Sequence, residues 1–244
     1  MKKLYEKKPL SFALIWIGVY CFMMSLGDAL SADIGIDKII SLPIALILSL
    51  VLFVFAWKNS LMSELGLCLA KVPKRTMLYY VPLLILLTVN LWCGINMNAS
   101  ITESVLYVLT MLCVGFLEEV IFRGLLFGAM KKDGLRLAVI VSSLSFGIGH
   151  IINLFNGSGA ELLPNLLQVV YATAVGFMFV MIYLKTKSLI VCIFTHGIFN
   201  SLSIISKESP TVSAEVLICI LMSVISLSYA LYIAHTLKKK PSYK

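Results

Sequence analysis

The sequence predicts an all-α polytopic membrane protein: one helical domain over residues 1–244, built as a bundle of about eight transmembrane helices. Three observations carry this prediction. Sixty per cent of the 244 residues are hydrophobic and only 13% are charged, a balance unlike that of a soluble domain. The apolar residues fall in runs of roughly 20, the length a helix needs to cross a bilayer. Lysine and arginine alternate between rich and poor connections, as membrane topology requires.

The runs lie near 10–29, 39–57, 77–96, 104–129, 137–155, 163–184, 188–205 and 213–236. The first follows a basic start, Met1 to Lys8, and continues to about Leu26 with no small-residue cleavage pattern, so an uncleaved span is expected rather than a signal peptide. Seventeen lysines and arginines fall at the two termini and in the second, fourth and sixth connections. The opposite connections hold only Lys38 and Lys207, with Asp28, Asp33, Asp37, Glu103, Glu161 and Glu208 on that side. This asymmetry places both termini in the cytoplasm. Segment 58–76 reads as a short interfacial piece, and the Gly/Ser-rich stretch 155–164 as a mobile outer loop. Asn90, Asn96 and Asn98 are expected near the outer interface without a functional role.

The net charge of +8 is spread as short clusters between apolar runs, so the lipid bilayer, and not nucleic acid, is the partner it suits. The six cysteines form no close pair and no C-x-x-C, and read as small hydrophobes.

Against this background Gly115-Phe-Leu-Glu118-Glu119-Val-Ile-Phe-Arg123-Gly124 stands out, because it puts three charges inside an apolar run. At mid-bilayer each charge costs roughly 2.5–3.5 kcal/mol, so a functional site is the default reading. Glu119 and Arg123, four apart, share a helical face and can neutralise each other. Glu118 points about 100° away and needs a partner from another segment. Two further runs carry polar residues: Ser145-Phe146-Gly-Ile-Gly-His150, and Phe194-Thr-His196-Gly-Ile-Phe-Asn200. Helical rise from Lys131, Arg136 and Lys187 puts Glu118, His150 and Asn200 roughly 20 Å along their helices, and Arg123 and His196 roughly 12–13 Å along. Gly115, Gly124, Gly128, Gly147, Gly149 and Gly197 would let these helices approach closely.

A carboxylate beside an imidazole can act as a base on a trapped water, and Glu118 with His150 suits that role. His196 and the Asn200 amide are donors for the oxyanion that follows attack on a carbonyl. The same residue types, Glu118, His150 and His196, could instead hold a divalent metal such as zinc. There is no H-E-x-x-H helix, and the sequence does not choose between the two.

At these residues the chain resembles the CPBP family, the CAAX protease and bacteriocin-processing (Abi) group of intramembrane endopeptidases. The marks are Glu118-Glu119-Val-Ile-Phe-Arg123, Phe146-Gly-Ile-Gly-His150 and His196-Gly-Ile-Phe-Asn200, in the family's order. The resemblance implies an all-α bundle that cuts peptide bonds near the cytoplasmic side. Glu118 and His150 would activate water, His196 and Asn200 would stabilise the oxyanion, and Glu119 and Arg123 would give structural support. It also implies a membrane-associated peptide substrate, either a prenylated C-terminal tail or a bacterial leader or signalling peptide. Short loops and the lack of a targeting extension point to a bacterial plasma membrane and hence to a peptide precursor. The main competing reading is a non-catalytic bacteriocin-immunity or sensor-regulating membrane protein. A proton or ion pathway is a third, but the outer half shows no chain of titratable residues and no inverted repeat.

Overall fold

The computed structural model describes residues 1–156 and 160–238. Lys239, Lys240 and Lys244, and the centre of the Gly/Ser-rich stretch at Gly157, Ser158 and Gly159, lie outside the described residues. Of the described residues, 80% are helical. A short α1 (Lys2–Lys7) leads into α2 (Pro9–Ile34) and α3 (Ser41–Lys58). After an irregular stretch come α4 (Val81–Leu87), α5 (Ile101–Glu119) and α6 (Phe127–Met130). Then follow α7 (Leu135–Gly149), α8 (Leu162–Thr186), α9 (Ile190–Leu202) and α10 (Val212–Lys238). Residues 120–126 form a π-helical turn that joins α5 to α6 without a break.

The helix ends follow from local chemistry. Pro9 opens α2, where its missing N–H is not needed, and Gly35 closes it in the left-handed conformation, φ 78°. A reciprocal capping box starts α5: the Ser100 hydroxyl accepts from the Glu103 N–H, and the Glu103 carboxylate accepts from the Ser100 N–H.

Among the described residues six helical runs are long and apolar enough to cross a membrane, which makes this a multi-pass membrane protein. The other two expected spans differ. The run 77–96 is broken, with Leu78, Tyr79 and Tyr80 at positive φ before a seven-residue α4. Pro82 explains the break, because in a continuous helix its ring would meet the carbonyl four residues earlier, that of Leu78. The run 188–205 gives a helix of only 13 residues, prolonged by a 3-10 turn to Ile205. The side chains that face outward are largely apolar, with Phe22, Leu50 and Leu231 all exposed, as a lipid-facing surface requires.

The bundle has two chemically distinct ends. At the basic end, part of the segment 61–71 packs inward, around Leu65 and Gly66. Leu65 is fully buried against Gly124, the Tyr183 hydroxyl donates to the Glu64 carbonyl, and the Leu189 and Lys71 amides donate to the Gly66 and Thr186 carbonyls. Tyr5 of α1 donates to the Glu64 carboxylate at 2.7 Å. At the lysine-poor end Lys38 pairs with Asp28 at 2.9 Å, Tyr107 meets Ser203, and Ile95 bridges to Ser206. The segment expected to be interfacial, 58–76, is therefore partly a packed element of the basic end.

Helices α5 and α9 cross at a pair of glycines. A Cβ on Gly115 would stand 2.6 Å from the Gly197 nitrogen and 2.8 Å from its Cα. Gly147 of α7 is equally close to the backbone of α8, 2.8 Å from both Thr173 N and Val169 O. These contacts admit no side chain, and they set the spacing of the helices that carry the intramembrane polar residues. Gly115→Ala should therefore destabilise by about 1–3 kcal/mol, seen as a lower melting temperature in detergent. Gly128→Ala, with open space at its Cβ position, should leave melting unchanged or raise it.

Candidate active site

The polar residues predicted from sequence meet inside the bundle. Glu119 and Arg123 form the expected ion pair, with Nη1 donating to Glu119 Oε1 at 2.9 Å and both side chains wholly inaccessible. The arginine is held by more than its counter-ion, since its guanidinium centre lies 4.0 Å from the centroid of the Phe146 ring and 5.6 Å from that of Phe179. Arg123 Nε and Nη2 have no hydrogen-bond partner among the described residues, so the aromatic faces take the place of acceptors.

His196 belongs to the same cluster. Its Nδ1 is 3.0 Å from Glu119 Oε1 and its Nε2 is 3.5 Å from Glu118 Oε2. An ionised carboxylate can only accept, so Nδ1 carries a proton and the imidazole is locked with Nε2 toward Glu118. Arg123 offsets one of the two carboxylates, and His196 lies against both. In a low-dielectric interior such pairing is what makes formal charges tolerable.

Glu118 is completed from an unexpected direction. The Tyr20 hydroxyl, from α2, donates to Glu118 Oε1 at 2.5 Å. Sequence reading assigned Tyr20 no role, although a signal was present: a phenol hydroxyl halfway along an apolar span needs an acceptor at the same depth.

His150 sits where α7 passes into a 3-10 turn, and Asn165 of α8 fixes that turn by donating to the His150 carbonyl at 2.9 Å. Its ring stands edge-on to Phe146, with centroids 5.4 Å apart, and the His196 ring does the same at 5.6 Å. Phe146 thus carries the guanidinium on its face and packs edge-on against both imidazoles. No hydrogen bond joins Glu118 to His150 among the described residues; the imidazole in contact with Glu118 is that of His196. This corrects the expected layering, which set His196 one turn from the carboxylate.

A cavity of about 520 Å³ is lined by Glu118, His150, His196 and Asn200 together, along with Tyr20 and Phe146. Glu119 and Arg123 lie behind it. Asn90, expected at the outer interface without a role, also lines the cavity and donates to the Phe199 carbonyl at 2.5 Å. Among the described residues no group of three or more His, Cys, Asp or Glu side chains is gathered as a metal site, so Glu118, His150 and His196 do not form a ready three-ligand set.

Comparison with known proteins bears on the same region. Residues 100–202 match the family described as type II CAAX prenyl endopeptidase Rce1-like. The matched stretch resembles that family. It contains Glu118, Glu119, Arg123, His150, His196 and Asn200, and the resemblance drawn from the three motifs agrees with it. The chain is also 35% identical over 95 residues to a Bacillus subtilis (strain 168) protein named "Putative membrane peptidase YdiL". That alignment covers 38% of this chain and 34% of the relative, so the chain spans about a third of the relative's length. No solved structure matches the chain.

Because the Glu119–Arg123 pair is wholly buried, Arg123→Leu should cost about 3–5 kcal/mol by leaving a buried carboxylate unpaired. The double variant Glu119→Gln, Arg123→Leu should recover part of that loss. Unfolding of the three proteins side by side in detergent measures it.

Proposed function

We propose that the protein is an intramembrane endopeptidase in which Glu118 activates water to hydrolyse a peptide bond of a membrane-associated peptide. The observation that carries this reading is the single cavity into which α5, α7 and α9 each place a polar residue: Glu118, His150, and the pair His196 and Asn200. The Rce1-like match over the helices that supply them supports it.

In this mechanism Glu118, held through Oε1 by Tyr20, takes a proton from water as the oxygen attacks the substrate carbonyl. The His150 ring, which bonds no other side chain among the described residues, positions that water. Charge develops on the carbonyl oxygen, and the groups that meet it are His196 Nε2–H and the Asn200 amide. The proton gained by Glu118 then passes to the leaving amine. Glu119 acts through His196: its carboxylate on Nδ1 orients the ring and stabilises the imidazolium, the part a buried acid plays in a hydrolase triad.

The reading extends to a bacterial plasma membrane and to leader or signalling peptides as substrates. All of these steps use the chain's own groups. Cleavage of candidate membrane-anchored peptides with and without a chelator tests whether a divalent metal is also needed; activity that survives chelation is expected, and loss restored by zinc would reassign Glu118 and the histidines as ligands.

Graded substitutions test the roles. Asn200→Ala should lower kcat by about 10²–10³ with little change in KM, as the loss of one oxyanion donor does. Tyr20→Phe should lower it by about tenfold, the equivalent of one modest hydrogen bond. Melting should stay near wild type in both. Unchanged kcat in the Asn200 variant would remove the oxyanion assignment.

A further inference from the structure

The lining of the catalytic cavity reaches one end of the bundle, and it is not the end that the family resemblance implies. Its floor is formed by Glu118, Phe122, Phe146, Phe179 and His196. From there it runs along α5 past Met111 to Tyr107, and its rim carries Asp28, Lys38, Asn156, Ala160 and Ser203. Every rim residue belongs to the lysine-poor end of the bundle. None of the lining residues comes from segments 58–76, 131–136 or 185–189, which form the basic end.

The basic end is closed by an independent set of contacts. Leu65, Leu125, Leu126, Val180, Ile182 and Leu189 are buried between the floor and that end. Residues 64–71 are fastened over them: Tyr5 and Tyr183 bond to the two ends of Glu64, and the Leu189 amide donates to the Gly66 carbonyl at 2.8 Å. Gly66 has φ 74°, and a Cβ there would stand 2.6 Å from the Tyr183 ring, so this segment fits tightly against α8 and the start of α9. Opening it would cost several hydrogen bonds and a buried leucine at once.

Charge tells the two ends apart in the cell. Among the described residues, fourteen lysines and arginines lie in the connections and termini of the closed end and two in those of the open end. Such a bias places the closed end in the cytoplasm. We propose that the catalytic cavity is entered from the extracytoplasmic face, and that the substrate is a peptide segment exposed on that face, such as the outer part of a membrane-anchored or secreted peptide, rather than a cytosolic tail. The substrate class rests on the peptidase reading above; the direction of entry does not.

The rim suits such a substrate. Asp28 accepts from Lys38 at 2.9 Å, and Asn153 donates to Gln168 at 3.2 Å, so charged and amide groups able to meet a peptide backbone surround a mouth that leads to an aromatic floor. From Tyr107 to Glu118 is eleven residues of helix, or about 16 Å. An extended chain covers that distance with about five residues, at ~3.3 Å each, so the cut falls about five residues beyond the mouth.

Three native cysteines allow a test on the unaltered protein. Cys21 lines the cavity beside Glu118, Cys93 lies at the open end, and Cys68 at the closed end donates to the Lys187 carbonyl. Intact cells and inverted vesicles are treated at mildly alkaline pH with a membrane-impermeant quaternary-ammonium methanethiosulfonate, and labelled cysteines are located by mass spectrometry. Cys21 and Cys93 should be labelled in intact cells, and Cys68 in inverted vesicles only, with a difference of at least tenfold between the two preparations. Labelling of Cys21 together with Cys68, labelling of Cys21 from neither side, or labelling of Cys93 only in inverted vesicles would each overturn the proposal. Because the readout is labelling and not cleavage, such a result leaves the peptidase reading standing. Loss of cleavage specific to active-site variants tests that reading separately.

Discussion

The constraint on which this structure depends is charge neutrality in a medium that does not solvate charge. Glu118, Glu119, Arg123 and His196 sit within the bundle with little or no exposure, and each is matched to another. Desolvation of isolated ions in such a place costs several kcal/mol each, more than packing alone returns. Arg123 answers Glu119, Tyr20 and His196 answer Glu118, and Phe146 covers the rest of the guanidinium. Much of the surrounding packing serves this group: the Gly115–Gly197 crossing brings α9 close enough for His196 to reach both carboxylates, and Gly147 brings α7 and its histidine against α8.

The group is also unequal in a useful way. Glu119 and Arg123 are sealed behind the cavity wall, whereas Glu118 and His196 face the cavity. In the proposed hydrolysis the sealed pair orients the side chains that meet the substrate. The π-helical turn 120–126 lies at this boundary, directly after Glu119, and the Phe122 carbonyl within it accepts from Ser142 at 2.8 Å. Turns of this kind recur at functional sites.

Much of this was legible in the sequence. The i, i+4 spacing of Glu119 and Arg123 gave their ion pair, and the three motifs named the residues that line the cavity. The multi-pass helical fold followed from run length and composition. Three features were not legible, each for a physical reason. The break at Leu78–Tyr80 depends on one proline within a run whose average hydropathy is that of a span. The pairing of Glu118 with Tyr20 and His196 depends on helix rotation and register between segments far apart in sequence, which rise per residue cannot supply; depth counting therefore placed His196 a turn too far. The closed end depends on residues 61–71, whose mixed polarity suggested an interfacial strip, whereas Leu65 and the backbone bonds of Gly66 and Lys71 make it part of the core.

Pairing makes the buried charge tolerable, and the proposed use of Glu118 is to take a proton from water during peptide-bond hydrolysis. The most direct measurement is cleavage of a membrane-anchored peptide by purified wild type and Glu118→Gln, with melting recorded on the same samples. Glutamine keeps the Tyr20 hydrogen bond and the shape of the side chain but cannot take a proton from water. The wild type should cleave, the variant should show no detectable cleavage, and the two should melt closely alike. Cleavage by Glu118→Gln at the wild-type rate would contradict this role.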